Sequence, residues 1–70
     1  MKEEVLIRFG NKIRELRLNQ KISQEALAEK CGLHRNYIGM IERGERNPSL
    51  INMEKLAISL ETTLTEIFKL

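Results

Sequence analysis

Cysteine, histidine, proline and tryptophan are nearly or wholly missing from this chain, and the shortages exclude several protein classes. One cysteine cannot form an internal disulfide, and with a single histidine it cannot complete a four-ligand structural zinc site. Such cysteine usage fits a reducing compartment, so a cytoplasmic location is expected. No apolar run is long enough for a membrane span, and no basic start leads into the apolar core of a signal peptide. Aromatic residues make up only 4% of the chain, proline occurs once, and β-branched residues are isoleucines at helical spacing rather than runs. These features favour an all-α domain. Glycine-rich phosphate loops and carboxylate pairs in an acid–base setting are also absent, so no catalysis, cofactor, metal or small-molecule ligand is expected.

An excess of one charge is lacking too. Twelve basic side chains face ten acidic ones, for a net charge of +2, which by itself says little about a nucleic-acid partner. Their distribution says more. Basic residues gather at Lys12, Arg14, Arg17 and Lys21 and again at Arg35, Arg43 and Arg46, while Glu54, Glu61 and Glu66 lie toward the C-terminus. Seventy residues allow one domain, here taken as 1–70. A chain of this size buries only about 60% of its unfolded surface, so a partner subunit is a reasonable expectation.

Apolar side chains at Val5, Leu6, Phe9, Ile13 and Leu16 stack on one side of a first helix over about residues 3 to 20. Gly10 inside it points either to close approach of another backbone or to a tolerated glycine near a fraying end. Ser23, followed by Gln24 and Glu25, has the form of an N-cap with a carboxylate in the first turn. A second helix therefore runs from about 24 to 31, with Leu27, Ala28 and Cys31 inward and Gly32 ending it. Cys31 reads as a small core residue rather than a nucleophile. A third helix begins near His34, a cap or phosphate contact, and runs to Glu42 or Arg43. Ile38 and Ile41 face the core, while Asn36, Gly39, Met40 and Arg43 fall on the opposite side and Arg35 on the N-terminal flank. Gly44 and Pro48 bound a turn, and Ser49 caps a fourth helix over about 50 to 60 with Leu50, Met53, Leu56, Ala57 and Leu60 as its core stripe. Ile51 and Ile58, seven residues apart, project to the other side with no core to enter. A last short helix follows the Thr62/Thr63 cap.

Two short helices joined by a glycine turn read as a helix-turn-helix. An α-helix fits the DNA major groove if it offers a face of side chains that pair with base edges. Arg35 can donate two hydrogen bonds to guanine, and Asn36 can pair with adenine or hold a phosphate. Met40 and Tyr37 can meet a thymine methyl, and Gly39 lets the helix lie close. Ser23 and Gln24, in the first turn of the second helix, can hold a phosphate on free backbone N–H groups. Arg43, Arg46 and Asn47 can hold another. Arg17 and Glu42 each sit at the edge of an apolar face, so a partly buried salt bridge between the first and third helices is expected.

The string IRELR…ISQEALAEKCGLHRNYIGMIERGERNPSLINMEKLAISLETTLTEIF resembles the lambda-repressor-like (XRE, Cro/C1-type) DNA-binding domains over nearly its whole length. The resemblance implies a five-helix domain that binds operator DNA as a symmetric dimer. It places the family's backbone-clamping glutamine at Gln24, its reading positions at Arg35, Asn36 and Met40, and its ion pair at Arg17 and Glu42. Within the family, LHRNYIGMIERGERNPSL is similar to the controller proteins of restriction–modification systems, whose motif reads Leu-x-Arg-Thr-Tyr-Ile followed by Glu-Arg-Gly-x-Arg-Asn. Asn36 stands here for the usual Thr and Gly39 for the usual Ser, which bears on operator sequence. The chain also ends after the fifth helix, as those proteins do.

These readings together imply a cytoplasmic homodimeric regulator of a restriction–modification operon and of its own gene, without enzymatic activity. Ile51, Ile58, Ile67, Phe68 and Leu70 would form its two-fold interface. Glu25 and Glu29 are the candidates for touching RNA polymerase. The alternative is an antitoxin-type, phage or chromosomal regulator with a protein partner, against which stands the expected lack of a spare segment to wrap one.

Overall fold

Four helices begin on a side chain that accepts a hydrogen bond from the first turn. Ser23 Oγ accepts from the Ala26 amide at 3.0 Å, His34 Nδ1 from Asn36 at 3.0 Å, Ser49 Oγ from Asn52 at 3.1 Å and Thr63 Oγ1 from Glu66 at 3.2 Å. Each satisfies a backbone donor that the helix cannot. The computed structural model describes residues 3–70 as α1 (Glu4–Asn19), α2 (Gln24–Cys31), α3 (Arg35–Glu42), α4 (Leu50–Ser59) and α5 (Leu64–Ile67), with no strand among them. Gly32 closes α2 in the left-handed conformation at φ 73°, where a glycine carries no Cβ penalty.

One apolar cluster joins all five helices: Phe9 and Ile13 from α1, Leu27, Ala28 and Cys31 from α2, Ile38 and Ile41 from α3, Leu56 and Ala57 from α4 with Leu60 just after it, and Ile67 from α5. Burial also pushes the Cys31 thiol up from its ordinary value. Among the described residues no helix is long and apolar enough to cross a membrane, and no group of side chains could hold a metal ion.

Gly10 settles one alternative left open by the sequence. A Cβ there would collide with the Ile41 carbonyl oxygen and lie 2.8 Å from that of Glu42. The glycine thus lets α1 touch the C-terminal turn of α3. Gly44, at φ 74°, turns the chain beside Ile7, whose backbone would lie 3.1 Å from an added Cβ.

Several positions depart from the apolar stripes expected of the sequence. Val5 is half-exposed because the first turn of α1 extends past the core. Leu50, expected inside, is 66% exposed at the first position of α4, whose buried residues, Leu56 and Ala57, lie in its second half. Ile67, assigned to a subunit interface, is instead fully buried at 0% exposure. The short α5 folds back onto α1 and α4 and spends that side chain on the protomer's own core. Phe68 follows it inward on one side, its ring centroid 5.6 Å from that of Phe9.

Candidate nucleic-acid interface

Arg17 is the pivot between core and surface. Its Nε donates to Glu42 Oε2 at 2.6 Å, its Nη2 to Glu42 Oε1 at 3.0 Å and its Nη1 to the Ile22 carbonyl at 2.9 Å. The guanidinium therefore ties α1 both to α3 and to the turn before α2. Two parallel bonds in fork geometry favour the charged pair at a buried site. The hydrogen bond to Glu42 raises the Arg17 pKa above its already high value. Glu42 Oε1 also accepts from Gln24 Nε2 at 3.0 Å, so one buried carboxylate fixes residues on three helices.

This junction sets the first turn of α2 beside the outer face of α3. Ser23, Gln24, Arg35, Asn36, Gly39, Met40 and Arg43 line a single open groove, joined by Glu25. Gly39 is buried rather than solvent-facing, because Gln24 and Arg43 fold across it: a Cβ there would stand 3.1 Å from Arg43 Nη1 and 3.4 Å from Gln24 Oε1. The groove presents guanidinium and amide donors on one helix and a free helix start on the other. That combination suits base edges flanked by a phosphate.

Other expected contacts lie elsewhere. Tyr37, assigned to a thymine methyl, does not line the groove. One residue on from Asn36, it turns about 100° around the helix toward α4, where its hydroxyl accepts from Asn52 Nδ2 at 3.2 Å. The Arg46 guanidinium stands 5.5 Å from the Tyr37 ring centroid, a cation–π distance that holds the arginine near the outer end of α3. Asn47 is exposed in the same turn. His34 acts as the cap of α3, with Nδ1 committed to the Asn36 amide. Arg43 Nε donates to Glu45 at 3.1 Å, and Arg35 Nη1 donates to Glu25 Oε2 at 2.8 Å across the groove. The Arg35–Glu25 and Gln24–Glu42 contacts are not legible in helical periodicity. Periodicity places residues around one helix but does not set the angle between two.

A family model described as helix-turn-helix matches residues 13–67. The control protein C.MunI from Mycoplasma sp is 46% identical over 66 residues, covering 93% of this chain and 89% of that protein. The chain belongs to the helix-turn-helix family. It falls among that family's controller proteins, as its similarity to the restriction-modification controller protein C.AhdI from Aeromonas hydrophila also shows. The C.AhdI crystal structure matches with a TM-score of 0.92 and 47% identity, over 94% of this chain and 100% of the other. C.Esp1396I, solved as a tetramer in complex with its natural 35 base-pair operator, matches with a TM-score of 0.89 and 32% identity over 97% and 90%. This helix-turn-helix chain is accordingly a DNA-binding transcriptional regulator and not an enzyme.

Proposed function

We propose that this chain controls a restriction–modification operon and its own gene by binding a pseudo-palindromic operator as a homodimer. The groove between α2 and α3 carries the reading: Arg35, Asn36 and Met40 face outward together, beside Gln24 and Arg43. Arg35 reads guanine and Asn36 adenine or a phosphate, while Ser23, Gln24, Arg43, Arg46 and Asn47 set the register on the backbone. Tyr37 contributes by carrying Arg46. His34 contributes by capping the reading helix.

One protomer spans 28 Å at most and holds one such helix, whereas successive major grooves on one side of DNA lie about 34 Å apart. Two copies are therefore needed to read two half-sites. Ile51 and Ile58, each 69% exposed on one side of α4, supply an apolar surface for the contact, with Leu50 and Phe68 exposed besides. Leu70 borders α1 at Arg8 and Lys12, which makes it peripheral. Where the protein activates, exposed Glu29 is the freer of the two acids for RNA polymerase, since Glu25 is engaged by Arg35.

Footprinting on the DNA upstream of its own gene should show two protected half-sites one helical turn apart. Arg35→Ala should lose about 1–3 kcal/mol there and relax preference at one base position, with little change on random DNA. Equal loss on operator and random DNA would remove Arg35 from base reading.

A further inference from the structure

The close packing of α1 on α3 has a consequence on the outside of the protein. Gly10 meets the last carbonyls of α3, and Arg17 is locked to Glu42 two turns later, so the face of α1 between them lies alongside the DNA-reading groove. Asn11 and Arg14 occupy that face. With Ile7 they line a second hollow whose other wall is Gln24, Glu42 and Arg43. Gln24 and Arg43 thus belong to both depressions, and the surface runs on from the groove to α1 without a break.

The charges of the hollow are unbalanced. Glu42 is its only acid, and both of its oxygens are taken: Oε2 by Arg17 Nε, and Oε1 by Arg17 Nη2 and Gln24 Nε2. Arg14 is exposed and makes no ion pair or hydrogen bond among the described residues. The other cations of α1 all have partners: Arg8 with Glu4, the half-buried Lys12 with Glu15, and Arg17 with Glu42. A cation left unpaired here, beside an exposed amide and within the rim of an anion-facing groove, has a partner outside the chain.

We infer that Arg14, assisted by Asn11, binds a phosphodiester of the operator backbone, making α1 a third DNA-contacting element. The inference rests on the operator binding proposed above. The occupant is a phosphate of the same duplex, because the hollow shares Gln24 and Arg43 with the reading groove. The contact carries no sequence information: a guanidinium on a phosphate adds affinity equally to all sequences and releases about one counterion.

The test is DNA binding by the full chain across a salt series, on the upstream operator and on a random duplex of equal length. Wild type is compared with Arg14→Ala and with Lys55→Ala, which removes an exposed cation of α4 outside both depressions. Arg14→Ala should lower the slope of log K against log salt by about 0.9 on both duplexes. That corresponds to roughly eightfold weaker binding at 0.1 M salt. The operator-to-random ratio and the melting temperature should stay at wild-type values. A slope change no larger than that of Lys55→Ala, or a loss confined to the operator, overturns the α1 contact and leaves the proposed function intact. A wild-type chain that binds both duplexes equally overturns the proposed function instead.

Discussion

Glu42 shows how much one side chain can organise. It accepts three hydrogen bonds from two partners while almost fully buried, so its carboxylate is compensated only while Arg17 stays in place. Arg17→Ala should cost about 3 kcal/mol or more, most of it the penalty of leaving Glu42 unpaired. Arg17→Met combined with Glu42→Leu should recover much of that loss in urea unfolding. If Arg17→Ala melts with wild type, the pair is not a stabilising contact. Helical periodicity places Arg17 and Glu42 each at the edge of an apolar face, but the third bond, from Gln24, depends on the angle between α2 and α3. Cys31 makes a second residue-level prediction. Because burial raises its folded pKa, the unfolded chain loses the thiol proton first. Its contribution is whole below the ordinary value of 9.0 and falls away as pH rises through that value toward the folded one. Stability should therefore drop more steeply above about pH 9 in wild type than in Cys31→Ala. Parallel curves would show that the thiol is not held neutral by the fold.

Among the elements, the junction of α1 with α3 is the least tolerant. The neighbours of Gly10 are backbone carbonyls, which cannot rotate away as a flexible side chain does. Gly10→Ala gains helix propensity of about 1 kcal/mol yet must push α1 off α3, so it should destabilise by a net 2 kcal/mol or so. For a domain of this size that is a fall of roughly 8–16 °C in Tm. A Tm at or above wild type would show that α1 can shift freely. The shift should also weaken operator binding beyond what unfolding explains, because the Arg17–Glu42–Gln24 junction that aims α2 moves with α1. Gly32→Ala differs in kind. Nothing lies within 4 Å of its added Cβ, so its cost is only the left-handed backbone at φ 73°.

At the scale of the whole molecule, the outer side of α4 is the surface that the protomer leaves unused. Ile51 and Ile58 are as exposed as any large apolar side chain among the described residues, while Leu56 and Ala57 of the same helix are buried in the core. Ile58→Asp should give a folded monomer by sedimentation, with unchanged helicity and operator affinity reduced toward that of one half-site. A dimer persisting at micromolar concentration would place the subunit contact elsewhere. Ile67→Asp should behave differently and unfold the protein, since a charge there would enter the core.

The sequence by itself determined the element order, the caps, the extent of α3 and the apolar face of each helix. All of these follow from interactions within a few residues: Ser23 to Ala26, Ser49 to Asn52, or Ile38 to Ile41. The tertiary structure decided how far those faces reach and what lies between them. Leu50 and Ile67 both fit apolar stripes, yet one is outside and the other inside, because burial depends on where a neighbouring helix begins and ends. Arg14 stood in the sequence only as one of a basic cluster, and nothing there set Asn11 beside it against Gln24 and Arg43; the contact of α1 with α3 at Gly10 does so. That contact joins residues more than thirty positions apart, and no local pattern in the chain encodes it.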